Sequence, residues 1–289
     1  MKKILTLLLA LTILLTLCAC SSETEPTEPQ STEPEGPPPI TFKETVVIDC
    51  DTCAIKITDI KPEDTFGYSL SVHLVNKTAV KQTFAVIAAS TNGVANDPFF
   101  AADVDAGKSA NQAITFSDTE LENRIGPYTD IFLHFRVYDS DDWFSEPVAE
   151  TSVHVYPYGE ENATTYTRVS QATDTVLVDN EKVTAIVTHC KMDKEGGGYT
   201  AYLYLVNKTD TKAMFTTYDV SLNGLMIDPY YADEVPGGCC AFSKITWSTA
   251  SLNEHGITQV DSITMTLRAY DYEDWLSDDY VKETFTLNP

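Results

Sequence analysis

An all-β fold of two tandem antiparallel β-sandwiches is predicted by three observations. The sequence repeats itself, its apolar residues alternate with a period of two, and turn signals punctuate it at short intervals. A leader and an acidic, proline-rich segment precede the repeats.

Internal repetition decides the architecture. LVNKT at 74–78 recurs at 205–209, and the 26 residues from Asn92 to Ser117 align without a gap on those from Asn223 to Ser248. Eleven of these 26 positions are identical, more than shared composition produces. FRVYDSDDWF at 135–144 matches LRAYDYEDWL at 267–276, and VVIDCDTCAIKI at 46–57 lies on VLVDNEKVTAIV at 176–187. One repeat therefore covers 41–157 and a second 165–289, joined by the polar segment PYGEENATT.

Alternation identifies the strands. Ile131, Leu133, Phe135 and Val137 alternate with Phe132, His134, Arg136 and Tyr138, the pattern of a half-buried strand. Ile263, Met265, Leu267 and Ala269 keep it in the second copy, and residues 68–74 and 199–205 do the same. Asn92-Gly93 and Asn223-Gly224 are hairpin signals, because both residue types tolerate positive φ. Capping-box spacing at Ser117–Glu120 and Ser251–Glu254 predicts one short helix per repeat.

Short strands, frequent turns and roughly 120 residues per unit specify an antiparallel sandwich. The Cys…Trp…Cys pattern of a true immunoglobulin domain is missing, so the fold is immunoglobulin-like in architecture alone. The N-G-x3-D-P-aromatic-aromatic-A run, the I-T-aromatic-S strand end and the R-x-Y-D-x-[DE]-D-W segment resemble a β-sandwich repeat of secreted and lipoprotein-type proteins of clostridial gut bacteria. The resemblance is strongest over 92–145 and 223–277. It implies fold and location, and it lends no activity.

Lys2 and Lys3 open the chain, an uncharged apolar run follows, and Leu17-Cys18-Ala19-Cys20 ends it. So short a run predicts a cleaved leader rather than a spanning helix. L-C-A-C resembles the bacterial lipobox, which implies cleavage after Ala19 and a lipid on Cys20. Residues 1–19 are then the signal peptide, and a lipid holds the protein on the extracytoplasmic face of the cell membrane. The segment 20–40, rich in Glu, Pro, Ser and Thr, cannot offset its ordering entropy and is expected to be disordered. At ~3.1 Å per residue it forms a stalk of roughly 60 Å.

The chain carries 43 acidic and 19 basic side chains, a formal net charge of −24. Such a surface repels nucleic acid and anionic headgroups, so no nucleic-acid partner is expected. It suits cations, basic partners or solubility outside a cell.

The repeat separates chemistry shared by both copies from residues found in one copy alone. The five histidines are not duplicated and show no metal-ligand spacing, which favours exposed strand positions. Cys50-Asp-Thr-Cys53 predicts a turn whose ends are close enough for a disulfide. Cys190 reads as a small core residue, and Cys239-Cys240 occupies a glycine turn where the first repeat has Lys108-Ser109. Asp139, Asp141 and Asp142 become Asp271, Glu273 and Asp274 in the second copy. Alternating carboxylates can supply three or four of the oxygens calcium needs, and calcium is the one cofactor to consider. An EF-hand is excluded by the absence of its sixth-position glycine and twelfth-position glutamate. The favoured reading is a strand-ending turn capped by aspartate, with Trp143 or Trp275 folded back as an anchor. A glycosidase-type carboxylate pair is a third reading.

The remaining shared feature is Asp97-Pro98-Phe99-Phe100 and Asp228-Pro229-Tyr230-Tyr231. On an extended segment, adjacent aromatics point to opposite faces, one into the core and one toward a partner. The expectation is non-catalytic binding of an extracellular protein or glycan. An envelope spacer and a surface hydrolase are the alternatives. No nucleophile–base set is duplicated and no G-x-S-x-G motif occurs.

Overall fold

The computed structural model describes residues 39–142, 144–193 and 197–289. The leader, Cys20, nearly all of the stalk and Trp143 lie outside the described residues. The fold is all-β. In the first repeat β1 (Thr45–Asp49), β2 (Cys53–Asp64), β3 (Gly67–Asn76), β4 (Gln82–Thr91) and β5 (Val94–Ala95) come first. Next are β6 (Ala101–Val104), β7 (Ser109–Phe116), helix α1 (Thr119–Ile125), β8 (Ile131–Asp139) and β9 (Ala149–Val155). The second repeat runs through β10 (Thr175–Asp179), β11 (Val183–Asp193), β12 (Gly198–Asn207), β13 (Ala213–Leu222) and β14 (Leu225–Met226). It closes with β15 (Ala232–Val235), β16 (Cys240–Trp247), helix α2 (Thr249–Glu254), β17 (Ile263–Asp271) and β18 (Val281–Leu287).

Each repeat is a sandwich of the same topology. Sheet β1-β2-β3-β7 packs on β5-β4-β8-β9, to which β6 adds through β4. The second repeat forms β10-β11-β12-β16 and β14-β13-β17-β18, with β15 on β13. Each has its own core, drawn from the inward residues of both sheets. Ile55, Leu70, Phe84 and Phe135 meet in the first, Leu203, Phe215, Trp247 and Leu267 in the second. In β8 the predicted set Ile131, Leu133, Phe135 and Val137 is at most 1% exposed. Burial of each such side chain contributes about 1.5–3 kcal/mol, which sets the register, since a one-residue slip would expose all four.

The repeated motifs have local reasons. The asparagine of each LVNKT is buried, and its amide ties a turn to a neighbouring strand end. Asn76 Nδ2 donates to the Val80 and Val104 carbonyls at 2.7 and 2.9 Å. Asn207 Nδ2 does so to Thr211 and Val235 at 2.7 and 2.9 Å. Asn92 and Asn223 take φ of 50° and 51° ahead of their glycines, closing the expected two-residue hairpins. Gly67 and Gly198 open β3 and β12 at positive φ, where a Cβ would lie 2.3 and 2.0 Å from the carbonyl oxygens of Phe116 and Trp247. Only glycine fits there. The helices start one to three residues from the predicted cap: Asp118, not Ser117, accepts from the Glu120 and Leu121 amides, and Ser248, not Ser251, caps α2. In each case the side chain that reaches the free amides is the one just before the first helical residue.

The two sandwiches are joined by backbone. Strands β5 and β16 pair in parallel at Val94 and Cys240, which fuses one sheet of each repeat into a nine-stranded sheet. The outer face of β11-β12-β16 carries Ile186, Tyr204 and Phe242 in register. The same ladder in the first repeat carries Lys56, His73 and Asn111. The apolar version is covered: Val94, Leu121, Tyr204 and Cys240 form a cluster with Ile186, Phe242 and Tyr166 packed around it. Arg124 of α1 lies 4.2 Å above the Phe242 ring. The joining segment is fastened as well, with Tyr166 N donating to Asn92 O at 2.8 Å and Arg168 paired twice with Asp174, at 2.7 and 2.6 Å.

Candidate functional site

The Asp-Pro-aromatic-aromatic segments adopt one conformation in both repeats. Asp97 Oδ1 accepts from Phe99 N at 2.7 Å, and Asp228 Oδ1 from Tyr230 N at 2.8 Å. Proline fixes the middle residue, and the aspartate closes an Asx-type turn over it. The first aromatic of each pair then sits in the left-handed region, Phe99 at φ 48° and Tyr230 at φ 52°. That conformation costs a residue with a Cβ about 1–2 kcal/mol. The segment is therefore turned rather than extended as the sequence predicts, yet the aromatics still part company. Phe99 is 89% exposed and Tyr230 92%, whereas Phe100 and Tyr231 are each 9% exposed. Phe100 and Tyr231 belong to the cores, which corrects their place in the expected binding surface. Tyr231 Oη meets Ser243 Oγ at 2.8 Å, and burial pushes its phenol well above the usual range.

The acidic turns spend their leading aspartates on the chain itself. Asp139 Oδ1 accepts from Asp141 N at 3.0 Å. Asp271 Oδ1 accepts from Glu273 N at 2.9 Å, and its other oxygen takes the Thr211 hydroxyl at 2.7 Å and the Tyr280 hydroxyl at 3.1 Å. The Thr211 hydrogen bond holds the Asp271 carboxyl below the usual carboxylate range. Asp141, Asp142, Glu273 and Asp274 project into solvent. Among the described residues no three His, Cys, Asp or Glu side chains are grouped to hold a metal ion. Trp275 is 62% exposed, so it is not the folded-back anchor expected of it. The turn is held instead by its own polar groups, with the Ser277 hydroxyl and amide both donating to Asp274 O, at 2.7 and 2.9 Å.

The histidines are engaged in local contacts. His73 meets Asn111 at 2.7 Å, His134 meets Glu150 at 3.0 Å and His154 meets Asp130 at 2.7 Å. His255 Nδ1 lies 2.8 Å from Ser251 O, and His189 stacks on Tyr202 with ring centroids 4.2 Å apart. All five cysteines of the described residues are free thiols.

A feature that sequence reasoning missed is a cleft of about 840 Å³ between the repeats. Helix α1 and residues 166–173 form one wall, and Tyr202, His189, Phe242 and Lys244 of the second repeat form the other. Its charged groups largely serve each other and the fold: Arg168 is held by Asp174, and Asp118 caps α1. The signal for it was present in the apolar outer position Phe242, which lines the cleft and whose first-repeat equivalent, Asn111, is polar.

No protein-family model and no curated protein matches the chain. Among solved structures, the exo-chitosanase CsxA of Amycolatopsis orientalis aligns with 80% of this chain at 13% identity and a TM-score of 0.24. The alignment spans 26% of that enzyme, and similarity at this level carries no functional argument.

Proposed function

We propose that the chain is a lipid-anchored surface protein whose two sandwiches bind an extracellular protein or glycan without catalysis, Phe99 and Tyr230 being the contact residues. The observation that supports this is the paired outlier. Two aromatics at equivalent positions are held almost fully in solvent on left-handed backbone, with no burial to offset the strain. Strain kept at matching positions is a mark of sites selected for something other than stability. Aromatic tips offer a large contact area at low entropic cost. Two weak sites on one fused scaffold raise avidity by ~10² when both engage. Anchoring rests on the basic, apolar leader and its L-C-A-C end. Among the described residues no helix is long and apolar enough to cross a membrane.

The test is retention of residues 39–289 on arrays of glycans and immobilised extracellular proteins, compared with the Phe99→Ala/Tyr230→Ala variant. Binding that drops at least tenfold in the variant, with an unchanged melt, is the expected result. Equal binding by both proteins would remove Phe99 and Tyr230 as the contact residues, and no binding by the wild type would overturn the reading in favour of a spacer.

A further inference from the structure

We propose that Cys50 and Cys53 form a thiol–disulfide exchange site, Cys50 attacking an exposed disulfide and Cys53 resolving the mixed disulfide. This site is separate from the aromatic tips and does not rest on their role. The two thiols close the turn between β1 and β2, where Cys50 N donates to Cys53 O at 3.0 Å. Their sulfurs are 3.7 Å apart, already in contact and within reach of a bond of about 2.05 Å. The environments are asymmetric. Cys50 is half-buried at the surface, while Cys53 is fully buried in the first core.

Cys50 Sγ lies 3.2 Å from the Thr52 hydroxyl, which can donate to a thiolate, as can the neighbouring Cys53 thiol. The charged groups around the turn are Asp49, Asp51 and Lys77. Lys77 is salt-bridged to Asp49, and its ammonium also donates to Cys50 O at 2.5 Å. The Thr52 hydrogen bond outweighs desolvation and lowers the Cys50 thiol to about 7, and burial pushes Cys53 up to about 12. An attacking thiol is most effective with a pKa near ambient pH.

The second repeat supplies an internal control. There the same turn is made without cysteine: Asn180 N donates to Val183 O at 3.0 Å, and Asn180 Oδ1 accepts from the Lys182 and Val183 amides at 2.8 Å. Lys208 repeats the role of Lys77, reaching Asn180 O at 2.7 Å and Asp179. The turn needs no sulfur to fold, so the cysteine pair in the first repeat is surplus to the architecture.

The chemistry balances within the site and its substrate. Cys50 thiolate attacks one sulfur of the disulfide, forms a mixed disulfide and releases the first thiolate, which is protonated. Cys53 then loses its proton and attacks Cys50 sulfur, releasing the second thiol. The substrate disulfide gains two electrons and two protons, and the pair is oxidised to a Cys50–Cys53 disulfide.

The probe is glutathione disulfide, added to the reduced full-length chain at pH 7 and followed by peptide mass mapping. With its thiol lowered to about 7 against about 8.5 for an ordinary cysteine, Cys50 should carry about 15-fold more thiolate at pH 7, offset about fivefold by lower nucleophilicity, so about threefold faster reaction is expected. The Cys53→Ser variant should trap glutathione on Cys50, the wild type should instead close the internal disulfide, and excess reduced glutathione should reopen it. Reaction of Cys50 no faster than an unstructured thiol would overturn the proposal. So would an internal disulfide that reduced glutathione cannot reopen, which would make the pair a structural staple. The Cys50→Asn/Cys53→Val variant, copied from the second repeat, should fold as the wild type does and take up no glutathione at this turn.

Discussion

Val94 of the first repeat and Cys240 of the second are strand partners, with Cys240 N donating to Gly93 O at 3.0 Å and its thiol 3.6 Å from the same oxygen. A short hairpin that would otherwise present a free edge is thereby closed by the neighbouring sandwich. Burial pushes the Cys240 thiol up, as expected for a packed rather than a reactive cysteine. Returning this face to the first repeat's residues, by Cys240→Ser with Phe242→Asn, removes the cluster under α1. The wild type is expected to melt in one transition and the variant in two, with the junction weakened by about 2–4 kcal/mol. Calorimetry that still shows one transition would mean that the repeats are coupled elsewhere.

The aromatic tips predict an unusual pairing of effects. Phe99→Gly relieves a left-handed backbone and removes a side chain that buries almost nothing. Its stability should be unchanged or higher by up to about 1 kcal/mol, while the proposed binding should be lost. Phe100→Ala, one residue on, empties a core position and should cost about 3–5 kcal/mol. Chemical denaturation of the two variants separates the roles.

Sequence patterning reached the all-β sandwich fold and its strands, because period-two alternation is a direct trace of one buried sheet face. The duplicated Asp-Pro-aromatic pair marks the segment, but the pattern does not say which aromatic of each pair is exposed. It missed the left-handed turn: the sign of φ at Phe99 comes from the Asp97 hydrogen bond and the proline, not from hydrophobic pattern. The fusion of the sheets was half legible. Ile186, Tyr204 and Phe242 replace Lys56, His73 and Asn111, yet the alternation of one strand cannot reveal that these three fall side by side. Trp275 misled because a tryptophan beside a turn suggests an anchor, and the turn is instead held by its own polar groups.

The buried asparagines predict equal penalties in both repeats. Asn76 donates to two carbonyls and Asn207 to three. Replacement by alanine leaves those acceptors unpaired and should cost about 2–4 kcal/mol at either site. Leucine, similar in branching but larger and without donors, should be no better, and urea melts of the four variants check this.

The acidic turns predict insensitivity to calcium. Asp139 and Asp271 already hold backbone amides, and the acids beside them point to solvent. Melts in chelator and in millimolar calcium should coincide. A rise of several degrees, lost in Asp141→Asn and Glu273→Gln, would instead make these turns a cation site.

The joining segment predicts an acid limit. Arg168 and Asp174 have side chains only 11% and 7% exposed, and the Arg168 hydrogen bonds hold the Asp174 carboxyl below the usual range. A carboxylate depressed in the folded state contributes fully above its unfolded pKa of about 3.9 and loses that contribution as pH falls through the folded value. Arg168 stays charged throughout, so protonation of Asp174 is the event that leaves a guanidinium without its anion. Amide exchange over residues 166–174 should therefore be slow and flat from pH 7 to about 5, after correction for intrinsic rates, and should rise below about pH 4. In Asp174→Asn the segment should already exchange fast at neutral pH and show no such step. Protection that persists in that variant would mean the segment is held by Tyr166 and Asn92 alone.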